Sequence, residues 1–213
     1  MNVDLIKLYN RAIFLAILTI VFNVVEGLVS IYFGLKDETL TLFGFGVDSF
    51  IETISAFGVL MMIYRIKANP NSERGIFEIT ALRITGWCFY ALATVLTISA
   101  FLNIYHGVQP DSTFAGVIIA SISILTMWLL ISTKISVGKK LDSNAIISDA
   151  KCNQVCLYMS VVLLVTSGMY EYFQIPHMDI LGVAGLVYFS IKEGREAFDK
   201  ARGIDNCCQS DNC

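Results

Sequence analysis

Six long apolar runs dominate the chain, and each is long enough to cross a bilayer. A spanning helix takes about 20 mostly apolar residues. The runs fall at about 11–34, 40–64, 77–105, 113–134, 145–173 and 178–198. Between them lie short segments of turn chemistry: Lys36-Asp37-Glu38, Asn69-Pro70-Asn71-Ser72, Gln109-Pro110-Asp111-Ser112 and Gln174-Ile175-Pro176-His177. Strands of a membrane barrel alternate apolar and polar residues over about 10 positions. These runs are longer and continuously apolar, so they predict an all-α membrane protein of six transmembrane helices. The composition agrees: 55% of residues are hydrophobic and 15% charged, with a mean hydropathy of +0.66. Soluble domains carry about 25% charged residues, and disordered chains need low hydrophobicity, so both classes are excluded. The expected organisation is a six-helix membrane domain over residues 1–202 and a short Cys-rich tail over 203–213. The N-terminus has no cleavage-site pattern, and the first run contains Asn23 and Glu26, so it reads as a mature span rather than a signal peptide. Net charge is only -3 and the Lys and Arg residues are scattered, which argues against a nucleic-acid partner.

Charge asymmetry orients the bundle. One set of flanks holds Lys7, Arg11, Arg65, Lys67, Arg74, Lys134, Lys139, Lys140, Lys192, Arg195, Lys200 and Arg202, whereas the opposite loops hold only Lys36. Both termini are therefore expected in the cytosol, as an even number of spans requires. The expected location is the plasma (inner) membrane.

Several polar residues lie where a bilayer interior penalises them. A charged group there is expensive and is usually functional or paired. Asp48 and Glu52 stand four residues apart on the second helix, which puts both carboxylates on one face. Two readings are open: a cation site, or pairing with Arg83 or Lys151 on other helices. The fifth helix carries Asp149, Cys152, Asn153 and Cys156 on a common face, with Lys151 adjacent. Cysteine also packs well as a small hydrophobe, but a nearby cation lowers a thiol's proton affinity, and two thiols one turn apart suit a soft cation. At 1.5 Å per residue, Asp48 and Glu52 lie ~12 and ~18 Å from one face, and Cys152 and Cys156 ~10 and ~16 Å from the other. Across a core ~30 Å thick, this matches Glu52 with Cys152 and Asp48 with Cys156 in depth. Two carboxylates and two thiols make a four-ligand metal site suited to Zn²⁺ or Cd²⁺, with Fe²⁺ and Co²⁺ as further candidates.

The first helix adds Asn23, Glu26 and Ser30 on one stripe. They read either as a polar pathway around the metal or as interhelical hydrogen-bonding groups. Arg83 is expected to snorkel or to pair with an acid, and Cys88 to pack. The tail thiols Cys207, Cys208 and Cys213 are expected to stay reduced in the cytosol and to offer accessory metal capture. Palmitoylation is the alternative for them. His106 and His177 fall in predicted loops and are read as solvated residues rather than ligands.

Over nearly its whole length the chain resembles the membrane domain of the cation diffusion facilitator, or cation efflux, family. The second helix reads Val47-Asp48-Ser49-Phe50-Ile51-Glu52, and the fifth reads Asp149-Ala150-Lys151-Cys152-Asn153-Gln154-Val155-Cys156. The family's Asp-Ala-x-His-x-x-x-Asp run falls on Asp149, Ala150, Cys152 and Cys156. Thus Cys152 stands where the family has His, Cys156 where it has Asp, and Glu52 where Asp is usual. Asn23, Glu26 and Gly27 are similar to the family's opening pattern, and Asp179 and Glu193-Gly194 fit its last helix. The family's cytosolic ferredoxin-like domain has no counterpart within these residues. The resemblance implies a homodimeric secondary transporter that exports a divalent metal in exchange for protons. On this reading Asp48, Glu52, Cys152 and Cys156 are ligands, and Asn23, Glu26, Asp149 and Asn153 surround them. Thiols in the site shift the expected cargo toward a soft or borderline ion.

No P-loop is present, so an ion gradient rather than a nucleotide is the expected energy source, and no enzymatic activity or resident cofactor is expected. Two other functions are weighed: a membrane thiol–disulfide oxidoreductase using Cys152 and Cys156, and a metal-binding membrane protein that does not transport. The first is disfavoured by the x-x-x spacing and by the lack of cysteine in any predicted external loop.

Overall fold

A computed structural model describes residues 3–37, 39–68, 76–106, 112–141, 144–173 and 178–203. The described residues form six α-helices: α1 (Val3–Lys36), α2 (Leu40–Ala68), α3 (Ile76–His106), α4 (Phe114–Lys140), α5 (Asn144–Phe173) and α6 (Met178–Ala201). Five contain a stretch long and apolar enough to cross a membrane: Ile6–Lys36, Leu40–Arg65, Leu82–His106, Phe114–Lys140 and Asn153–Phe173. The sixth helix is different. Its uncharged stretch runs only from Ile180 to Ile191, between Asp179 and Lys192, shorter than a bilayer core requires. α1 begins at Val3 rather than near 11, and α4 continues to Lys140 rather than stopping near 134. Helical hydrogen bonding persists beyond the apolar run, so hydropathy locates the core of each helix and not its ends.

Interhelical hydrogen bonds show which helix ends lie together. At one end, Leu40 N and Thr41 N donate to the Asp179 carboxylate at 2.9 and 3.0 Å. Thr113 N donates to Glu171 at 3.0 Å at that same end, where Thr39 Oγ1 also donates to Ser112 O at 3.2 Å. At the other end Lys67 Nζ donates to Asn10 Oδ1 at 2.8 Å. The most extensive packing is within the antiparallel pairs α1/α2, α4/α5 and α3/α6. The first pair approaches backbone to backbone. A Cβ on Gly34 would lie 2.5 Å from Phe43 N, and one on Gly46 would lie 2.8 Å from Ile31 N. Small residues permit such approach where lipid supplies no hydrophobic drive between helices.

Each face of α1 meets a different solvent. Phe14, Val21, Val25, Leu28, Tyr32 and Leu35 are exposed, whereas Asn23, Glu26 and Ser30 are buried. The exposed face suits lipid, and the polar stripe turns inward. Two apolar clusters fill the bundle. One joins Ala16, Ile20, Leu60, Ile63, Leu130 and Ile146. The other joins Leu42, Phe45, Leu92, Leu96, Leu163 and Leu186. A buried polar layer, containing Asn23, Glu26, Asp48 and Ser123, lies at intermediate positions along the helices.

Gly34→Ala should destabilise the bundle, because its new methyl group meets the backbone of α2. Overpacking of this kind costs roughly 1–3 kcal/mol. Gly168→Ala is the control, since a Cβ there has nothing within 4 Å. Thermal unfolding in detergent should show a lowered midpoint for Gly34→Ala and an unchanged or raised one for Gly168→Ala. Equal midpoints would refute the close α1–α2 contact.

Candidate metal centre

The i, i+4 spacing puts Asp48 and Glu52 on the α2 face that meets α1 and α5. There they join Cys156 of α5: one ligand atom from each of Asp48, Glu52 and Cys156 lies within 4.8 Å of the others. Asp48 is 2% exposed and Cys156 is buried. The Cys156 thiol donates to Glu52 Oε2, and Asn23 Nδ2 donates to the same oxygen at 3.2 Å. Asp48 Oδ1 has no hydrogen-bond partner. Three negatively ionisable groups thus converge with one oxygen still unsatisfied, which is a donor set a divalent cation satisfies.

Neighbouring hydroxyls support this layer. Ser49 Oγ lies 3.1 Å from Glu26 Oε2 and the same distance from Phe45 O, and can donate to either. Ser160 Oγ donates to Cys156 O at 2.8 Å and shares a 2.8 Å hydrogen bond with Ser123 Oγ. Glu26 is buried with Oε1 unpartnered. Asn153 Nδ2 is also unpartnered.

A cavity of about 40 Å³ reaches the cluster, because Glu52 forms part of its wall. Asn23, Thr85, Asn153, Glu193 and Lys200 also line it. It therefore extends from the polar layer toward the end of α6 that carries Lys200.

The depth arithmetic placed Asp48 opposite Cys156 and Glu52 opposite Cys152. In the structure Cys156 bonds to Glu52 and also lies within reach of Asp48. Asp48 and Cys156 thus meet as the depth match expects, and the long Glu52 side chain reaches the same thiol. The side chains of Cys152, Asp149 and Lys151 lie outside the described residues, as do Cys207, Cys208, Cys213 and His177. Arg83 is exposed and so lies apart from the buried acid cluster. His106 lies in the last turn of α3, not in a loop. Cys88 packs against the second apolar cluster.

The model of the cation efflux transmembrane domain matches residues 16–203. The chain belongs to the cation efflux family. No curated protein gives a significant match to the chain. Family membership makes it a multi-pass membrane transporter of metal cations.

Two functional candidates escaped sequence reasoning. Lys134 was read as a flanking charge, yet it is 3% exposed and acts electrostatically on Glu52. It stands at the expected end of the apolar run 113–134, where a lysine reads as a flank, but α4 continues six residues past it. Glu193 was noted only as part of a helix end, yet it lines the cavity and acts electrostatically on Asp48 and Glu52. Its offset of three from Ser190, also buried, was the available signal.

Lys134→Met should strengthen divalent-metal binding and weaken the metal-free fold. Removing a like charge that acts on Glu52 should raise the affinity for a divalent ion severalfold. Calorimetric Cd²⁺ titration and thermal unfolding of metal-free protein measure the two effects. Unchanged affinity would remove Lys134 from the electrostatics of the centre.

Proposed function

We propose that the protein exports a soft or borderline divalent metal, Zn²⁺ or Cd²⁺, from the cytosol by proton-coupled alternating access. The observation that carries this reading is the convergence of Asp48, Glu52 and Cys156 within a membrane bundle of the cation efflux family. Asp48, Glu52 and Cys156 are the ligands, and Cys152 is the fourth. Asn23 holds Glu52 in place, and Glu26, Asp149 and Asn153 tune the surroundings. The tail cysteines capture metal before entry.

Metal binding to carboxylates and thiols displaces protons, which supplies the coupling. Reprotonation on the opposite side releases the metal, and rocking of helix pairs about the fixed site alternates access. All six helices span the plasma membrane, α6 being sheltered from lipid by its partners at its charged end. Both termini are cytosolic, and the transporter works as a homodimer. The basic bias supports this orientation even with Lys134 removed from the flank count.

Cys156 gives the sharpest test of the ligand set. Cys156→Asp keeps an anionic ligand but hardens it, so in proteoliposomes Zn²⁺ flux should partly survive and Cd²⁺ flux fall further. Cys156→Ala should abolish both fluxes. If Cys156 merely packs, the order reverses: Ala is mild and Asp, a buried unpaired charge, is damaging. An active Ala variant beside an inactive Asp variant would exclude Cys156 from the site.

Orientation has an independent test. With native cysteines replaced, a cysteine at Ser112 should be labelled by an impermeant reagent in intact cells, and one at Ser72 should not. Labelling at Ser72 alone would reverse the direction of transport.

A further inference from the structure

The cavity beside the acid–thiol cluster shares Glu52 with it and adds donors of its own. Asn23, Thr85 and Glu193 line it from three different helices, α1, α3 and α6. Each carries a buried oxygen without a hydrogen-bond partner: Asn23 Oδ1, Thr85 Oγ1 and Glu193 Oε1. Asn23 is 1% exposed and Thr85 2%. A buried acceptor left unsatisfied costs about 1–3 kcal/mol, and native structures hold few of them. Three around one cavity, one of them a carboxylate, call for something that accepts lone pairs.

The cavity's size adds a second constraint. Holding one water takes roughly 10–15 Å³, so about 40 Å³ admits a cation that keeps a few of its waters. Asn153 Nδ2, the orphaned donor in the wall, suits one further water in the same space. Carboxylate, hydroxyl, amide oxygen and water are the ligands of hard or weakly discriminating divalent binding. Among the described residues, no thiol lines this cavity.

We propose that this cavity is a second cation station, in which a partly hydrated divalent ion is held by Glu193, Asn23 and Thr85. It adjoins the Asp48–Glu52–Cys156 centre, with Glu52 in the wall between them. Asn23 links the two, because its Nδ2 holds Glu52 while its Oδ1 is the unsatisfied oxygen. Lys200 also lines the cavity and, with Lys192, acts on Glu193, whereas Glu196 opposes them. Of the two carboxylates in its wall, Glu52 already accepts from Asn23 and Cys156 and Glu193 is offset by nearby ammonium groups, so the station binds weakly. It concentrates divalent ions of any hardness next to the centre, and the thiol there selects among them. Its place as an entry step rests on the proposed direction of transport; its existence as a binding site does not.

Mn²⁺ is the probe, because it favours oxygen donors and its paramagnetic resonance signal reports binding directly. Full-length protein in nanodiscs should bind Mn²⁺ at a site that survives Asp48→Asn. Glu193→Gln should weaken that binding about tenfold or more, and Glu193→Asp should restore part of it. Thr85→Val gives a second, uncharged lesion and should weaken it less. In transport, Glu193→Gln should raise the KM for Zn²⁺ with kcat little changed. Mn²⁺ binding unaltered by Glu193→Gln, even with lowered thermal stability, would make Glu193 a structural partner of Lys200 and overturn the station. Loss of Mn²⁺ binding in Asp48→Asn and Glu193→Gln alike would merge the cavity with the main centre and overturn it equally. Failure of the transport reading shows separately, as the absence of Zn²⁺ and Cd²⁺ flux in proteoliposomes of the unaltered protein.

Discussion

Burying carboxylates inside a membrane bundle is the constraint around which the rest of the structure is organised. Asp48 and Glu26 are buried, and Glu52 is half-buried beside them. Taking such groups out of water costs several kcal/mol per ion unless hydrogen bonds and opposite charge compensate. The bundle supplies part of that compensation. Asn23 and Cys156 donate to Glu52, Ser49 is within hydrogen-bonding reach of Glu26, and Lys134 brings a buried positive charge from α4. It stops short of full satisfaction: Glu26 Oε1 and Asp48 Oδ1 are orphaned. A site fully satisfied by its own protein has little to gain from an ion, whereas one left incomplete gains much from it.

Apolar packing on both sides keeps that incompleteness from unfolding the bundle. The clusters around Ile20, Leu60 and Leu130 and around Leu42, Leu96 and Leu163 sit on either side of the polar layer. One end is also tied by carboxylates to helix N-termini. Asp179 accepts from Leu40 N and Thr41 N, and Thr41 Oγ1 donates back to Asp179 O at 2.6 Å. Negative charge at a helix N-terminus is favourable, so Asp179 fixes the start of α2 against α6. Glu171 does the same for the start of α4 by accepting from Thr113 N. The i, i+4 pair Asp48 and Glu52 begins two turns below that clamp, which fixes the depth at which the carboxylates meet α5.

Much of this was legible because bilayers impose a simple grammar. Length and hydropathy gave six helices, since no other element satisfies its backbone in lipid. The i, i+4 acid pair was visible because its penalty in lipid makes it conspicuous. Lys134 was not, because a lysine near a run's end reads the same whether it snorkels or turns inward, and only the packing of α4 against α1 and α5 distinguishes them. The register between Cys156 and Glu52 was equally hidden. It depends on how far a side chain reaches across the α2–α5 contact, which residue counting along each helix does not reveal. Glu193 stayed obscure because it follows Lys192 and precedes Arg195 in a stretch that resembles an ordinary solvated helix end. Its burial arises from α3 and α6 packing closely, with a Cβ on Gly194 only 3.3 Å from Gly86 O.

The contact between Cys156 and Glu52 bears on how tightly such a centre holds an ion. The Cys156 thiol donates its proton to the Glu52 carboxylate, so a cation bound by both would break that hydrogen bond and displace the proton. Every divalent ion meets the same cost, but the return differs. A soft ion forms a strong bond to the resulting thiolate, whereas Mg²⁺ or Mn²⁺ gains mainly from the two carboxylates. That common cost lowers affinity for every ion alike, so the gap between soft and hard ions comes from the thiolate itself. A carboxylate at position 156 would present no such thiol proton and would offer hard ions a better ligand. On the proposed ligand set, preference for a soft ion therefore resides in the Cys156 thiolate, and its contact with Glu52 sets how much affinity every ion gives up to reach it.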